Sequence, residues 1–191
     1  MFSRTRASSI LSSALTIPVL LALLQFVVQT IFHGNYGYFR DELYYIACSK
    51  HLAFGYVDQP PLSIAILWVS RMLLGDSLYA IRFLPSVAGA CVVVLAALMA
   101  RKLGGGKFAQ GLAALSVVAA HGLIGHGQLF TMNPFDVVFW ALASYIVLHI
   151  LTDEKPKLWI LFGLFVGLGL ENKYSIGFLV IGLVAGLLLT R

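Results

Sequence analysis

Long apolar runs divided by short polar turns constrain this chain more than any motif. Examples are "ILSSALTIPVLLALLQFVVQTIF" from Ile10 to Phe32 and "IRFLPSVAGACVVVLAALMA" from Ile81 to Ala100. A run of about 20 apolar residues matches the hydrocarbon thickness of a bilayer when coiled as a helix. Inside that hydrocarbon the backbone must close its own hydrogen bonds, so such runs are helical. The composition agrees: 60% of the 191 residues are hydrophobic and 11% are charged, against about 45–50% and about 25% in soluble domains. The net charge of +5 does not indicate nucleic acid, because the 13 Lys and Arg are scattered between apolar segments. Their distribution reads as membrane topology. Cys48 and Cys91 imply no disulfide framework and read as small packing residues.

The first span is expected from about Ile10 to Phe32, preceded by Arg4 and Arg6. Its length exceeds a signal-peptide core, so it reads as a retained anchor with a cytoplasmic N-terminus. The next apolar piece, Leu62 to Gly75, is short and carries Arg71, which suits a helix lying at the interface with its arginine reaching the headgroups. Further spans are expected from Ala80 or Ile81 to Met99, Phe108 to Ile124 and Val137 to Leu151, then two short or tilted helices from Leu158 to Leu170 and Ser175 to Leu189. Arg101, Lys102 and Lys107 then fall in the cytoplasm, as the positive-inside rule requires. Gly104-Gly105-Gly106 lacks the spacing of a phosphate loop and reads as a turn. The expected fold class is an all-α polytopic transmembrane bundle of about six membrane segments, forming one integral-membrane domain over residues 1–191.

The polar exception is "YFRDELYYIACSKHLAFGYVDQPPL", from Tyr38 to Leu62, inside an external loop expected over residues 33–79. Asp41 and Glu42 open a helix predicted from Asp41 to Phe54, where the macrodipole and Arg40 favour their ionised forms. Plain helix capping and solvation is the more ordinary account of such a pair taken alone. Asp58 and Gln59 precede Pro60 and Pro61, whose restricted backbone suits either the fixing of polar side chains or an ordinary helix start. Tyr44 and Tyr45 share the Asp41 helix at i+3 and i+4. His121, His126, Asn133 and Asp136 fit loop residues at the interface better than an acceptor path, and His149 reads as a helix-end residue.

These segments, with "GDSLYAIRFLPSVAGA", "ARKLGG" and "GLFVGLGLENKYSIG", resemble the N-terminal part of the GT-C membrane glycosyltransferases. More narrowly, they are similar to bacterial enzymes related to dolichyl-phosphate-mannose protein mannosyltransferases, including the Rgt-type transferases and the aminoarabinose transferases of lipid A. The resemblance implies a polyprenyl-phosphate-linked sugar as donor and a lipid, glycan or protein as acceptor. It implies inverting transfer on the outer face of a bacterial inner membrane. It assigns the acidic pair to Asp41 and Glu42, with Asp41 the catalytic carboxylate, and the acidic-X-Pro-Pro element to Asp58, Gln59, Pro60 and Pro61. The family's Thr-Lys-Gly reads Asn172, Lys173, Tyr174 here, which keeps the lysine and changes both neighbours.

Transfer from a phosphate requires a carboxylate beside the acceptor and positive charge beside the leaving group. Asp41 and Glu42 supply the first; Arg40, Arg82 and Lys173 are the candidates for the second, and Tyr45, Asp58 and Gln59 complete the expected substrate contacts. No cofactor is required by these residues, although Asp41 and Asp58 could hold a divalent cation. Members of the family are usually longer, so the chain is expected to be the N-terminal portion of a larger architecture. Two other readings remain: a non-catalytic assembly partner, and a small transporter built on a buried Glu171–Lys173 ion pair.

Overall fold

The computed structural model describes the backbone of residues 3–190 and the side chains of residues 15–190. Arg4 and Arg6, on which the expected orientation rests, lie outside the described side chains. The described residues form nine helices and no strand: α1 (Ser3–Phe32), α2 (Arg40–Ser49), α3 (Leu62–Leu74), α4 (Leu78–Lys102), α5 (Lys107–Ala119), α6 (His121–Gln128), α7 (Asn133–Asp153), α8 (Leu158–Asn172) and α9 (Ile176–Leu189).

Helix α4 is the axis of the molecule and packs against α1, α3, α5, α6 and α7, while α8 lies on α7 and α9 on both. Small residues make this possible. Ala22, Val93, Ala97 and Ala114 form the buried seam between α1, α4 and α5, where short side chains let helix axes approach closely. A second cluster, Ala143, Ile146, Val147, Ile150 and Phe162, joins α7 to α8. The third lies under the polar window: Tyr45, Ile64, Leu67, Ile81, Phe130 and Phe135 tie α2 and α3 to α4 and to the start of α7. Outside these seams the bundle shows Leu20, Leu24, Ile31, Ile160, Phe178 and Ile181 to its surroundings. In water this would be a large apolar patch; in lipid it is the required exterior.

The all-helical membrane bundle is as expected, but the count of spans is not. Leu15–Phe32, Leu78–Lys102 and Asn133–Asp153 are long and apolar enough to cross a membrane. A fourth crossing exists only if α5 and α6, bent by 64°, are taken together. The expected straight span from Phe108 to Ile124 is therefore broken at Ala120, which adopts extended backbone, and the following segment to Gln128 is helix rather than loop. Gln29 fixes the break, its side-chain amide donating to the Ile124 carbonyl at 3.1 Å. Helices α8 and α9 have 15 and 14 residues, so each rises only about 22 Å or less, short of the roughly 30 Å core. Six full crossings are not present among the described residues. Helix α2 also stops at Ser49 instead of Phe54.

Cys48 and Cys91 are both free; Cys48 packs on the core beneath α2, whereas Cys91 is exposed on α4. The triple glycine is a turn between α4 and α5. Gly104 has φ +90°, and a Cβ on Gly105 would stand 2.6 Å from the Ala100 carbonyl oxygen, whereas one on Gly106 would meet open space. Replacing Gly105 with Ala is expected to cost about 1–3 kcal/mol by forcing the turn apart. Gly106→Ala should leave thermal unfolding in detergent almost unchanged. Equal melting temperatures for the two variants would refute this account of the turn.

Candidate active site

Successive residues on a helix project about 100° apart, so Asp41 and Glu42 cannot face the same way. Glu42 turns inward and is fully buried. Its Oε1 accepts from Arg82 Nε at 2.8 Å and from the Phe130 amide at 3.0 Å; its Oε2 accepts from Arg82 Nη2 at 2.6 Å and from the Phe39 amide at 2.9 Å. Arg82 uses its remaining donors on the carbonyls of His33, Tyr36 and Gly37. One carboxylate and one guanidinium thus join α2, α4, the α1–α2 connection and the α6–α7 connection. Burial works against the charged Glu42, but Arg82 and the two amides outweigh it and hold its pKa below the usual carboxylate range.

Beneath Arg82 the Ser86 hydroxyl donates to the Gly127 carbonyl at 2.9 Å, so it accepts from His33 Nε2 at 2.9 Å. Burial, then the nearby Arg82 charge, lowers the His33 pKa. His33 is therefore neutral, with its proton on Nε2.

Asp41 takes the other side of α2, toward a pocket of about 490 Å³ lined by Arg40, Asp41, Tyr44, Tyr45, Asp58, Gln59 and Met132. Its carboxylate is 44% exposed and, among the described residues, meets only Arg40 Nε, at 3.2 Å. The Tyr44 hydroxyl donates to Asp58 Oδ1 at 2.7 Å, and this bond raises the Tyr44 pKa. The Tyr45 hydroxyl accepts from the Met132 amide at 3.1 Å, while its ring packs on Phe130 at 5.8 Å.

Gln59 is 5% exposed, and its side-chain Nε2 has no hydrogen-bond partner among the described residues. Such a group costs free energy unless something accepts from it. Its backbone is well held, since the Gln59 carbonyl accepts from the Tyr56 amide at 3.1 Å.

The far wall comes from the α6–α7 connection. Tyr45 holds the Met132 amide, and the Asn172 side chain donates to the Met132 carbonyl at 3.0 Å. Lys173 lies beyond this strut, with Nζ 2.8 Å from Asn133 Oδ1 and 3.9 Å from Asp136 Oδ2. Asp136 in turn accepts from the Ser175 hydroxyl. The sequence signals for Asp41, Tyr45, Asp58, Gln59 and Arg40 thus converge on one pocket, whereas Lys173 stands next to its wall.

Several expectations are revised. Glu42 does not line the pocket, because all four of its acceptor positions are filled. Arg82 is spent on Glu42 and three carbonyls, and it lies in the wall of a different cavity of about 420 Å³ with His33, Tyr36 and Tyr38. Arg71 does not extend to headgroups: it bonds Asp76 at 2.5 Å and Ser49 Oγ at 2.6 Å, clamping α3 to α2. Glu171 makes no pair with Lys173, which removes the basis of the transporter reading. Among the described residues no three His, Cys, Asp or Glu side chains cluster as a metal site; Asp41 and Asp58 share a wall without a third such ligand. Sequence reasoning missed the Phe130 and Met132 backbone amides, which no side-chain pattern reveals, and Asn172, whose position beside Lys173 was the available signal.

Residues 58–191 match the family model described as dolichyl-phosphate-mannose-protein mannosyltransferase. The chain belongs to the dolichyl-phosphate-mannose-protein mannosyltransferase family. No curated protein and no solved structure matches it. The protein is therefore a multi-pass membrane glycosyltransferase of the GT-C type. The match includes Asp58, Gln59, Arg82 and Lys173, while Arg40, Asp41, Glu42 and Tyr45 precede it.

The buried pair yields a test by stability. Glu42→Gln leaves Arg82 charged and unmatched, which costs about 3–5 kcal/mol, and thermal unfolding in detergent should show it. Because folding depresses the Glu42 pKa, its contribution is complete above about pH 4.3 and declines as pH falls through the lower folded-state value. The wild type should lose stability over that acidic range, and the variant should lose less. Parallel pH profiles would refute the assignment.

Proposed function

We propose that the protein transfers a sugar from a polyprenyl-phosphate donor to an acceptor hydroxyl on the extracytoplasmic side, with inversion at the anomeric carbon. The carrying observation is the division of labour within the acidic pair: Glu42 is consumed by Arg82, while Asp41 presents a carboxylate to a pocket that also holds Asp58 and the unpartnered Gln59 amide.

In this reading the bond from the anomeric carbon to phosphate oxygen breaks as the bond to the acceptor oxygen forms. The bonding pair leaves with polyprenyl phosphate, a stable anion that needs no protonation to depart. The acceptor proton passes to Asp41. A carboxylate is a weak base toward an alcohol, so the proton moves after sugar–oxygen bonding has begun. Arg40, which pairs with Asp41 through Nε and is 90% exposed, meets the phosphate with the rest of its guanidinium. Gln59 donates to a substrate oxygen through Nε2, and Tyr44 orients Asp58.

Glu42 and Arg82 act as positioning residues, fixing the angle of α2. The orientation that suits this chemistry places the pocket outside the bacterial inner membrane. Arg101, Lys102, Lys107, Lys155 and Lys157, in and around the α4–α5 and α7–α8 turns, favour a cytoplasmic location for those turns.

The test is sugar release from a polyprenyl-phosphate donor by purified protein in lipid. Asp41→Asn should lower turnover by about 10²–10⁴-fold with an unchanged melting temperature. Turnover equal to wild type would remove Asp41 from the mechanism, and a silent wild type would sink the transferase reading of this chain.

A further inference from the structure

The opposite end of the bundle carries a further polar pocket that the transfer reaction does not use. It has a volume of about 380 Å³ and is lined by Leu98, Arg101 and Lys102 from α4 and by Tyr145 and His149 from α7. No carboxylate lines it. Asp153 stands behind, bonded to Lys102, to His149 Nδ1 at 2.8 Å and within 3.5 Å of Lys155. The Tyr145 ring meets His149 edge-on at 4.7 Å and braces that wall. One carboxylate thus serves three basic groups, and the Arg101 guanidinium makes no hydrogen bond or ion pair with the described residues.

Depth identifies the surroundings of this pocket. From Arg82, at the candidate active site, to Arg101 is 19 residues of continuous helix, or about 28 Å. From Asn133 to His149 along α7 is 16 residues, or about 24 Å. Those lengths approximate the hydrocarbon core. If the active-site pocket lies at one membrane boundary, Arg101 lies at the other, at the level of lipid headgroups. Leu98 supplies the apolar inner edge against which acyl chains would begin.

From the unmatched Arg101, the second cation Lys102 and this depth, we infer that the pocket binds the headgroup of an anionic phospholipid. Arg101 takes the phosphate oxygens through its guanidinium fork, Lys102 adds charge, and the Tyr145 hydroxyl faces the glycerol region. Basic pockets between helices at this boundary are suited to such headgroups. The site is independent of the proposed transfer reaction, since none of its residues contributes to the Asp41 pocket.

The test uses the full chain purified from nanodiscs of mixed phosphatidylglycerol and phosphatidylcholine, with retained lipid counted by native mass spectrometry. Wild type should retain phosphatidylglycerol over phosphatidylcholine. Arg101→Gln should weaken that retention by about tenfold, as loss of a bidentate phosphate contact implies. Arg101→Lys should restore part of it, and Lys157→Gln, a charge change outside the pocket, should leave it intact. Three results would overturn the inference: equal retention in wild type and Arg101→Gln, equal loss in Lys157→Gln, or displacement by millimolar inorganic phosphate. The last would make the pocket a phosphate site and not a lipid site. An unchanged melting temperature for Arg101→Gln separates lost binding from lost folding.

Discussion

The buried pair of Glu42 and Arg82 is the constraint on which the candidate-site end of the molecule depends. Neither charge is accessible, so each must find its full set of partners within the protein. Arg82 satisfies this with carbonyls from the α1–α2 connection, and Glu42 with amides from Phe39 and Phe130. Four segments distant in sequence are thereby held at one point. A hydrophobic cluster could attach α2 to α4 as firmly, but it would leave rotation about the helix axis less defined. The fork of Arg82 fixes that rotation, and with it the direction of Asp41.

The Asp41 pocket follows from this arrangement. With Glu42 turned inward, its neighbour must turn away from the core, toward the mouth formed by Asp58, Gln59 and Met132. The Met132 strut is held on its amide by Tyr45 and on its carbonyl by Asn172, so α2, α7 and α8 share one backbone unit. Lys173 is brought close to the site through this strut without entering it. Arg71 secures α2 from the other side through Ser49 and the Ile46 carbonyl. A lone carboxylate on such a frame can be rigid while still open to a ligand, which is the condition for a useful proton acceptor.

Polar groups at the two membrane boundaries behave differently. At the candidate-site end the charged Glu42 and Arg82 are fully matched, while Gln59 Nε2, His33 Nδ1 and Ser63 Oγ are buried without a hydrogen-bond partner among the described residues. At the other end, Asp153 is shared among Lys102, His149 and Lys155, and the Arg101 guanidinium has no partner among the described residues. Between them Gln25 and Gln29 of α1 are buried, as is His33 just beyond its end, and Gln29 reaches across to the broken α5–α6 span. That break is one reason the crossings are fewer than the apolar runs suggest; the short α8 and α9 are the other.

Much was determined by the sequence itself. Apolar runs near bilayer length can satisfy their backbones only as helices, so the helical membrane bundle and most boundaries of α1, α4, α7, α8 and α9 were legible. The polar window from Tyr38 to Leu62 also stood out, since charges in such a chain need a reason to be there. What it could not decide was which charges were free. Glu42, Arg82 and Asp41 look equivalent in one dimension because each is an ionisable residue near a helix start. Only packing brought Arg82 from 40 residues away onto Glu42, left Asp41 open, and drew the Phe130 amide from 88 residues away to complete the pair. Likewise Glu171 and Lys173 are close in sequence, yet the lysine chose Asn133. Pairing depends on the direction of side chains in space, and tertiary structure alone supplies that direction.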